Sequence, residues 1–454
     1  MLKNGCVREH TKLRSEKPDI RVYWTRWMIL FIYNMCACLS TFQWIQYSII
    51  TNVVLKYYHV SESEVDWSAM SFSAMWPLTF FPVCYIIDKT GLRVAALIGA
   101  VLTLLGAAVK IFSIGENLFW VVMIGQTIVA VSQIFILTLP SKLAVTWFKP
   151  QEVSTACSLG LFGLTFGSAL GFVIPPMIVR DSDNLAEIGN NFKIMCWALT
   201  LAMAPVTLAI FFYFPAEPPY PPSQAMLEER QNRQTVTFLS FMKSIKSLLQ
   251  SKSFLLHNLC YACNVGIYCS IGTLLNQLIL SYFPGEQEEA GRMGLVMILT
   301  GMVGSILTGI VLDKTHKYKE TAFIIFVLTA LSLGGLTLAL EMKSKWMVYL
   351  GIGVFGFFLN GYLPAGIEFA IEMTFPSQES TVTGILLTTS QVVAVILTIV
   401  LGIVLEKFGA LICIITMIAV IGTGCLLTLF TPNKLNRQKA FMKDRNVSFT
   451  PLKQ

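Results

Sequence analysis

Asp88-Lys89-Thr90 closes one apolar stretch of this sequence, and 225 positions later Asp313-Lys314-Thr315 closes another. The tripeptide is not alone. Phe148, Gln151 and Glu152 return as Phe375, Gln378 and Glu379 at an offset of 227, and Leu139-Pro140 returns as Leu363-Pro364 at 224. Three pairs in the same order, at a nearly constant offset, mark an internal duplication.

The duplicated units are built of apolar stretches. Hydrophobic residues make up 55% of the 454 residues, charged residues only 13%, and the mean hydropathy is +0.65. A water-soluble surface needs roughly 25% charged residues, so much of this surface must face lipid. A membrane helix needs about 20 apolar residues. Such stretches fall at 27–52, 67–87, 92–113, 118–140, 153–178, 194–214, 255–282, 293–312, 321–340, 346–373, 380–405 and 408–430. The expected organisation is a tail (1–26), a six-helix half (27–215), a linker (216–252), a second half (253–431) and a tail (432–454). The linker opens with Pro218, Pro219, Pro221 and Pro222, and its segment from Phe238 to Leu249 reads as an amphipathic surface helix. Two parallel six-helix repeats define an all-α membrane protein of the major facilitator fold, with twelve transmembrane helices in two six-helix halves.

With an even number of spans, both ends share one side of the bilayer. That side collects 25 of the 33 Lys and Arg: seven in the first 26 residues, Lys89, Arg93, Lys142 and Lys149, five in the linker, Lys314, Lys317 and Lys319, and six in the last tail. The positive-inside rule puts both termini in the cytoplasm. The net charge of +7 reports this topology, not nucleic-acid binding. No apolar core or cleavage site precedes the first span, so no cleavable signal peptide is expected. Ten of the eleven cysteines lie inside spans, so no disulfide framework is expected. A monomeric, multi-pass protein of the plasma membrane is the default expectation.

Several runs narrow the class. Phe42-Gln43-Trp44-Ile45-Gln46-Tyr47-Ser48-Ile49-Ile50, Asp66-Trp67, Gln151-Glu152-Val153-Ser154-Thr155-Ala156-Cys157, Tyr220-Pro221-Pro222-Ser223-Gln224-Ala225, Thr273-Leu274-Leu275-Asn276-Gln277 and Gly361-Tyr362-Leu363-Pro364 resemble the feline leukaemia virus subgroup C receptor family across all twelve spans. The resemblance implies transport of choline and ethanolamine, with haem export or import as the older alternative. It also carries the family's substrate residues onto Trp44, Tyr268, Gln133 and Gln391. The sequence departs from the family pattern at Ser40 and Leu164, where Asn is usual, and at Ser73, where Met is frequent. These departures leave the preference between choline and ethanolamine open.

The residues support that implication by their own chemistry. In this architecture the substrate lies near the bilayer midplane between the halves. No chain of Asp, Glu, His or Lys suited to a proton relay is legible deep in the spans, which favours facilitated diffusion. Glu368 and Glu372, near the end of the tenth span, read as a gate or an ion pair. A quaternary ammonium has no N–H to donate, and its spread charge suits ring faces, at roughly 0.5–2 kcal/mol per ring. Trp44 and Tyr268 sit mid-span, 224 positions apart, and so should face each other across the pseudo-twofold axis. Ser40 and Thr41, one turn before Trp44, share its face. Gln133 and Gln391 carry amides that must be hydrogen-bonded at that depth, to the substrate or to another helix. Asp88 and Asp313 are read as gate carboxylates that cap the eleventh and fifth helices, with Glu152 and Glu379 at the starts of those helices completing the set.

Haem asks for an axial His, Cys or Tyr and for cations opposite its propionates. His10, His59, His257 and His316 all fall in tails, loops or span ends. No nucleophile–base pair and no metal cluster is legible, so no enzyme, metal or cofactor is expected. The topology has a direct test. Single cysteines at Asn184, Gly285 or Lys343 should react with impermeant thiol reagents on intact cells, whereas those at Gln151 or Asn232 should not. Labelling at Asn232 from outside would overturn the twelve-span reading.

Overall fold

The computed structural model describes residues 23–149, 152–220, 246–375, 377, 379–433 and 436. Side chains of Asp88, Ser154, Asp313, Glu379 and Ser380 lie outside that description, as does most of the segment read as a linker helix. Twelve helices among the described residues are long and apolar enough to cross a membrane. The first span comprises α1 (Thr25–Ile45), a 3₁₀ turn (Ser48–Ile50) and α2 (Thr51–Tyr58). The second and third spans follow each other in α3 (Glu62–Ile111). Then come α4 (Phe119–Trp147), α5 (Val153–Ile178), α6 (Leu185–Tyr213), α7 (Lys252–Tyr282), α8 (Gln287–Thr315), α9 (Tyr318–Glu341), α10 (Lys345–Thr374), α11 (Glu379–Phe408) and α12 (Ala410–Phe430).

The helices outrun the apolar stretches at several ends. The sixth starts at Leu185 rather than 194, and the eighth at Gln287 rather than 293. An apolar run measures the part of a helix that meets lipid, while polar first turns such as Glu288-Glu289 continue the helix beyond it. Two local signals fix the second and third spans. Ser61 and Glu64 form a reciprocal capping box at the start of α3. Gly91 then takes φ +84° and ψ −179°, a conformation open only to glycine, and reverses the chain between the two spans. The first span holds a feature the apolar run 27–52 did not show: it extends from Thr25 to Tyr58, and its helix breaks directly after Ile45.

In lipid, helices gain little from apolar burial and pack where small residues let backbones approach. On α5, Gly163, Gly167 and Gly171 form a stripe at four-residue spacing against Asn34, Cys38 and Phe42 of α1. The second half uses the same device, with Gly301 and Gly304 of α8 against Asn360 and Phe357 of α10. The halves meet along α5–α8 and along α3–α11. At the end where Lys252 enters α7, here the linker end, the first half keeps a core of its own, around Tyr33, Trp76, Leu139 and Trp147. At the opposite end one core runs through both halves, joining Ile49, Tyr57, Phe172 and Phe192 to Ile271, Leu275, Met293 and Met297. The molecule is clamped there.

A Cβ at Gly167 would collide with the carbonyl of Cys38. Backbone atoms cannot turn aside as a side chain can, so Gly167→Ala should cost about 1–3 kcal/mol. The expected outcome is a lower unfolding midpoint in detergent, with Gly422→Ala, where a Cβ meets nothing within 4 Å, serving as the neutral control.

Candidate functional site

Trp44 lies in the last turn of α1, one residue before the break, and Tyr268 sits midway along α7. The structure brings them together as the duplication implies. Their ring centroids are 6.0 Å apart, and the planes are tilted by 36°. Ile45, Phe172, Gly272, Met297 and Ile298 complete the walls of a crevice beside the pair that is too narrow to hold a water molecule. All of these are uncharged. A trimethylammonium held between two ring faces needs centroids roughly 8–10 Å apart, since each face meets methyl carbons at about 3.5–4.0 Å. At 6.0 Å the pair is closed and must part to take a cation between its faces.

Of the other site residues, Gln133 on α4 is 9% exposed and Gln391 on α11 is half-buried. Neither amide has a hydrogen-bond partner among the described residues, so the helix–helix alternative is not used in this conformation. Ser40 is fully buried and its Oγ has no partner among the described residues. Thr41 differs: its hydroxyl donates to the Ala37 carbonyl at 2.9 Å, within its own helix. Glu152 accepts from Arg26 at 3.2 Å, inside the first half, while the Arg26 guanidinium lies 5.3 Å from the centroid of the Phe148 ring. The gate carboxylates Asp88, Asp313 and Glu379 lie on described helices, but their side chains are outside the described residues.

The clamp at the opposite end is built from side chains to which the sequence reading gave no role. Asn276 Nδ2 donates to the Ile49 carbonyl at 2.7 Å, which falls free because the first span breaks there. Gln277 Nε2 donates to Asp66 Oδ1 at 2.8 Å. Asn52 Nδ2 donates to Gln287 Oε1 at 3.0 Å, and Gln287 Nε2 passes to the Val179 carbonyl at 3.1 Å. Each bond joins one half to the other. Asn276-Gln277 and Asp66 were visible in the family-like runs, but sequence shows no pairing across 211 or 227 residues.

A fold clamped at one end, with a ring pair between two duplicated halves, defines a membrane carrier. The profile of the Major Facilitator Superfamily matches residues 30–379 and 287–454. Among solved structures, a D-xylose–proton symporter superposes with a TM-score of 0.71 at 11% identity, covering 90% of this chain and 98% of its own. A bacterial homologue of the human lysosomal transporter Spinster does so at 0.69 and 12%, covering 90% and 97%. Those likenesses concern the fold. The chain belongs to the major facilitator superfamily and, within it, to the feline leukaemia virus subgroup C receptor family. The zebrafish choline/ethanolamine transporter flvcr2a is 38% identical over 426 residues, 94% of this chain and 90% of that protein. The human choline/ethanolamine transporter FLVCR2 is 35% identical over 421 residues (93% and 80%), and the cat FLVCR1 is 39% identical over 389 residues (86% and 69%).

The sequence reading found no chain of ionisable groups deep in the spans and singled out Glu368 and Glu372 near a span end; among the described residues Asp66, Lys110, His257 and Glu372 are buried. Each lies within about two turns of a span end, so neighbouring helices rather than the bilayer core cover them. His257 meets the Gly366 carbonyl through Nε2 at 2.7 Å and packs edge-on against Phe369. Lys110 is the larger omission. Its Nζ donates to Gln43 Oε1 at 2.7 Å and Gln126 Oε1 at 2.9 Å, and lies 5.7 Å from the centroid of the Tyr47 ring. Gln126 in turn donates to the carbonyls of Gln43 and Ser68. This network pins α1 beside Trp44 to α3 and α4. Gln126→Leu removes one acceptor from a buried ammonium, which should cost about 2–3 kcal/mol. Adding Lys110→Met should recover part of that loss, because the stranded charge goes with it. A double-mutant cycle on the unfolding midpoint measures both.

Proposed function

We propose that this chain carries choline and ethanolamine across the plasma membrane by alternating access, as a monomeric facilitated-diffusion carrier with both termini in the cytoplasm. The observation that carries the reading is the Trp44–Tyr268 pair, two rings from matched positions of the duplicated halves, meeting across the interface without a neighbouring carboxylate in the gap. The names of relatives that match most of the chain support the substrate class. Cation–π attraction needs the ring face and no counter-ion, which suits an ammonium whose charge is spread over methyl groups. Gln133 and Gln391, whose amides are unpaired, would serve the hydroxyl or amine end, with Ser40 and Thr41 supplying further contacts.

In this reading the clamp formed by Asn276, Gln277 and Gln287 is the extracellular gate in its shut state. Asp88 and Asp313, with Glu152 and Glu379, would form the cytoplasmic gate that closes when the clamp opens. The domain boundaries proposed are 27–215 and 253–431 for the two halves, joined by 216–252. Haem finds less support. His257, the histidine buried among the described residues, already spends Nε2 on Gly366, and the gap beside the ring pair holds no cation for propionates.

Trp44→Ala should weaken choline uptake by about five- to thirtyfold in affinity, matching a loss of about 1–2 kcal/mol. Trp44→Phe keeps a ring and should weaken it mildly, and Tyr268→Phe should stay nearer the parent than Tyr268→Ala. Radiolabelled choline, ethanolamine and haem uptake at matched surface expression measures these. Unchanged choline uptake in Trp44→Ala would sink the ring-pair site.

A further inference from the structure

Along α7, several polar residues that face other helices are paired. Asn258 Nδ2 donates to Thr389 of α11 while its Oδ1 stays unpaired, Ser270 bonds Thr398 of α11, and Cys260 contacts Tyr362 of α10. The stripe turned toward the first half is different. It runs Asn264, Tyr268, Gly272, Asn276 at four-residue spacing. Tyr268 meets Trp44, a Cβ on Gly272 would touch Trp44 at 3.6 Å, and Asn276 reaches the Ile49 carbonyl. Asn264 shares that stripe and is 1% exposed, yet neither its Nδ2 nor its Oδ1 has a hydrogen-bond partner among the described residues. Across the duplication, 224 positions earlier, stands Ser40, also fully buried and also without a partner for its Oγ. Each lies one turn to the linker side of its own ring residue.

Buried polar groups in native proteins are nearly always paired, and leaving an amide unpaired is costly. Other buried side chains also carry unpaired atoms, Gln46 and Asn258 among them; what sets Ser40 and Asn264 apart is that they stand at matched places in the duplication, one turn from the ring pair that meets between the halves. We propose that Asn264, with Ser40 opposite it, forms a subsite that hydrogen-bonds the hydroxyl of a short amino alcohol whose ammonium is held by Trp44 and Tyr268. The inference rests on the proposed substrate class and adds, beside Gln133 and Gln391, a further partner for the hydroxyl that a bare ammonium lacks. The dimensions agree. From Asn264 to Tyr268 the helix rises about 6 Å, and a two-carbon link plus one hydrogen bond spans roughly 6 Å. Asn264 can both donate to the hydroxyl oxygen and accept its proton, which a serine does with less reach.

The experiment compares choline uptake with its inhibition by tetramethylammonium, which has the same head and no hydroxyl. In Asn264→Ala the KM for choline should rise about five- to thirtyfold, while the inhibition constant for tetramethylammonium stays within about twofold of the parent. Asn264→Ser should fall between. The unfolding midpoint of substrate-free Asn264→Ala should hold or rise, because an unpaired buried amide has been removed. An unchanged KM for choline, an equal loss for both cations, or a fall in the midpoint would each overturn the assignment. Absence of choline uptake in the parent chain would instead defeat the substrate class, a result visible before any variant is made.

Discussion

A bilayer core offers no hydrogen-bond partner to the peptide backbone, so a spanning chain must pair its own N–H and C=O groups or have protein cover them. Nearly every spanning segment here meets that demand as unbroken helix. The departure in the first span, between Ile45 and Thr51, lies directly after the Trp44 that meets Tyr268. The carbonyl freed at Ile49 is taken by Asn276 of the other half, so a local defect becomes a joint between halves. Trp44 stands on the last turn before that break. Its position, the clamp and the gap beside Tyr268 all follow from how the freed backbone is covered.

Burial and bilayer depth act separately in this fold. Lys110, Asp66, His257 and Glu372 are enclosed by protein near the span ends. They bind helices together, whereas the level of the rings carries neutral side chains. Lys110 rests on two glutamine carbonyls and the ring of Tyr47, with no carboxylate among its hydrogen-bond acceptors. It anchors the segment that presents Trp44, and so affects the site through position rather than contact. Polar groups with partners therefore concentrate in the frame. Unpartnered polar atoms occur in the frame as well, on Trp76, Trp147 and Asn258 among others, but Ser40 and Asn264 stand at matched places one turn from the ring pair.

The amino-acid sequence alone determined the class of this protein. Apolar runs long enough to span a bilayer, the basic residues gathered on one side, and three pairs at offsets near 225 suffice for twelve helices in two halves, because lipid permits few alternatives. The duplication also predicted that Trp44 and Tyr268 would meet, since residues at matched places in two related units face each other across the axis that relates them. Tertiary structure decided the rest. The break in the first span is invisible in an apolar run, because hydropathy registers side chains and not backbone bonds. The pairing of Gln277 with Asp66, and of Asn276 with Ile49, depends on helices more than 200 residues apart. Whether an amide is paired or orphaned depends on what stands opposite it in space, and so Asn264 reads in the sequence as one more residue of the seventh helix.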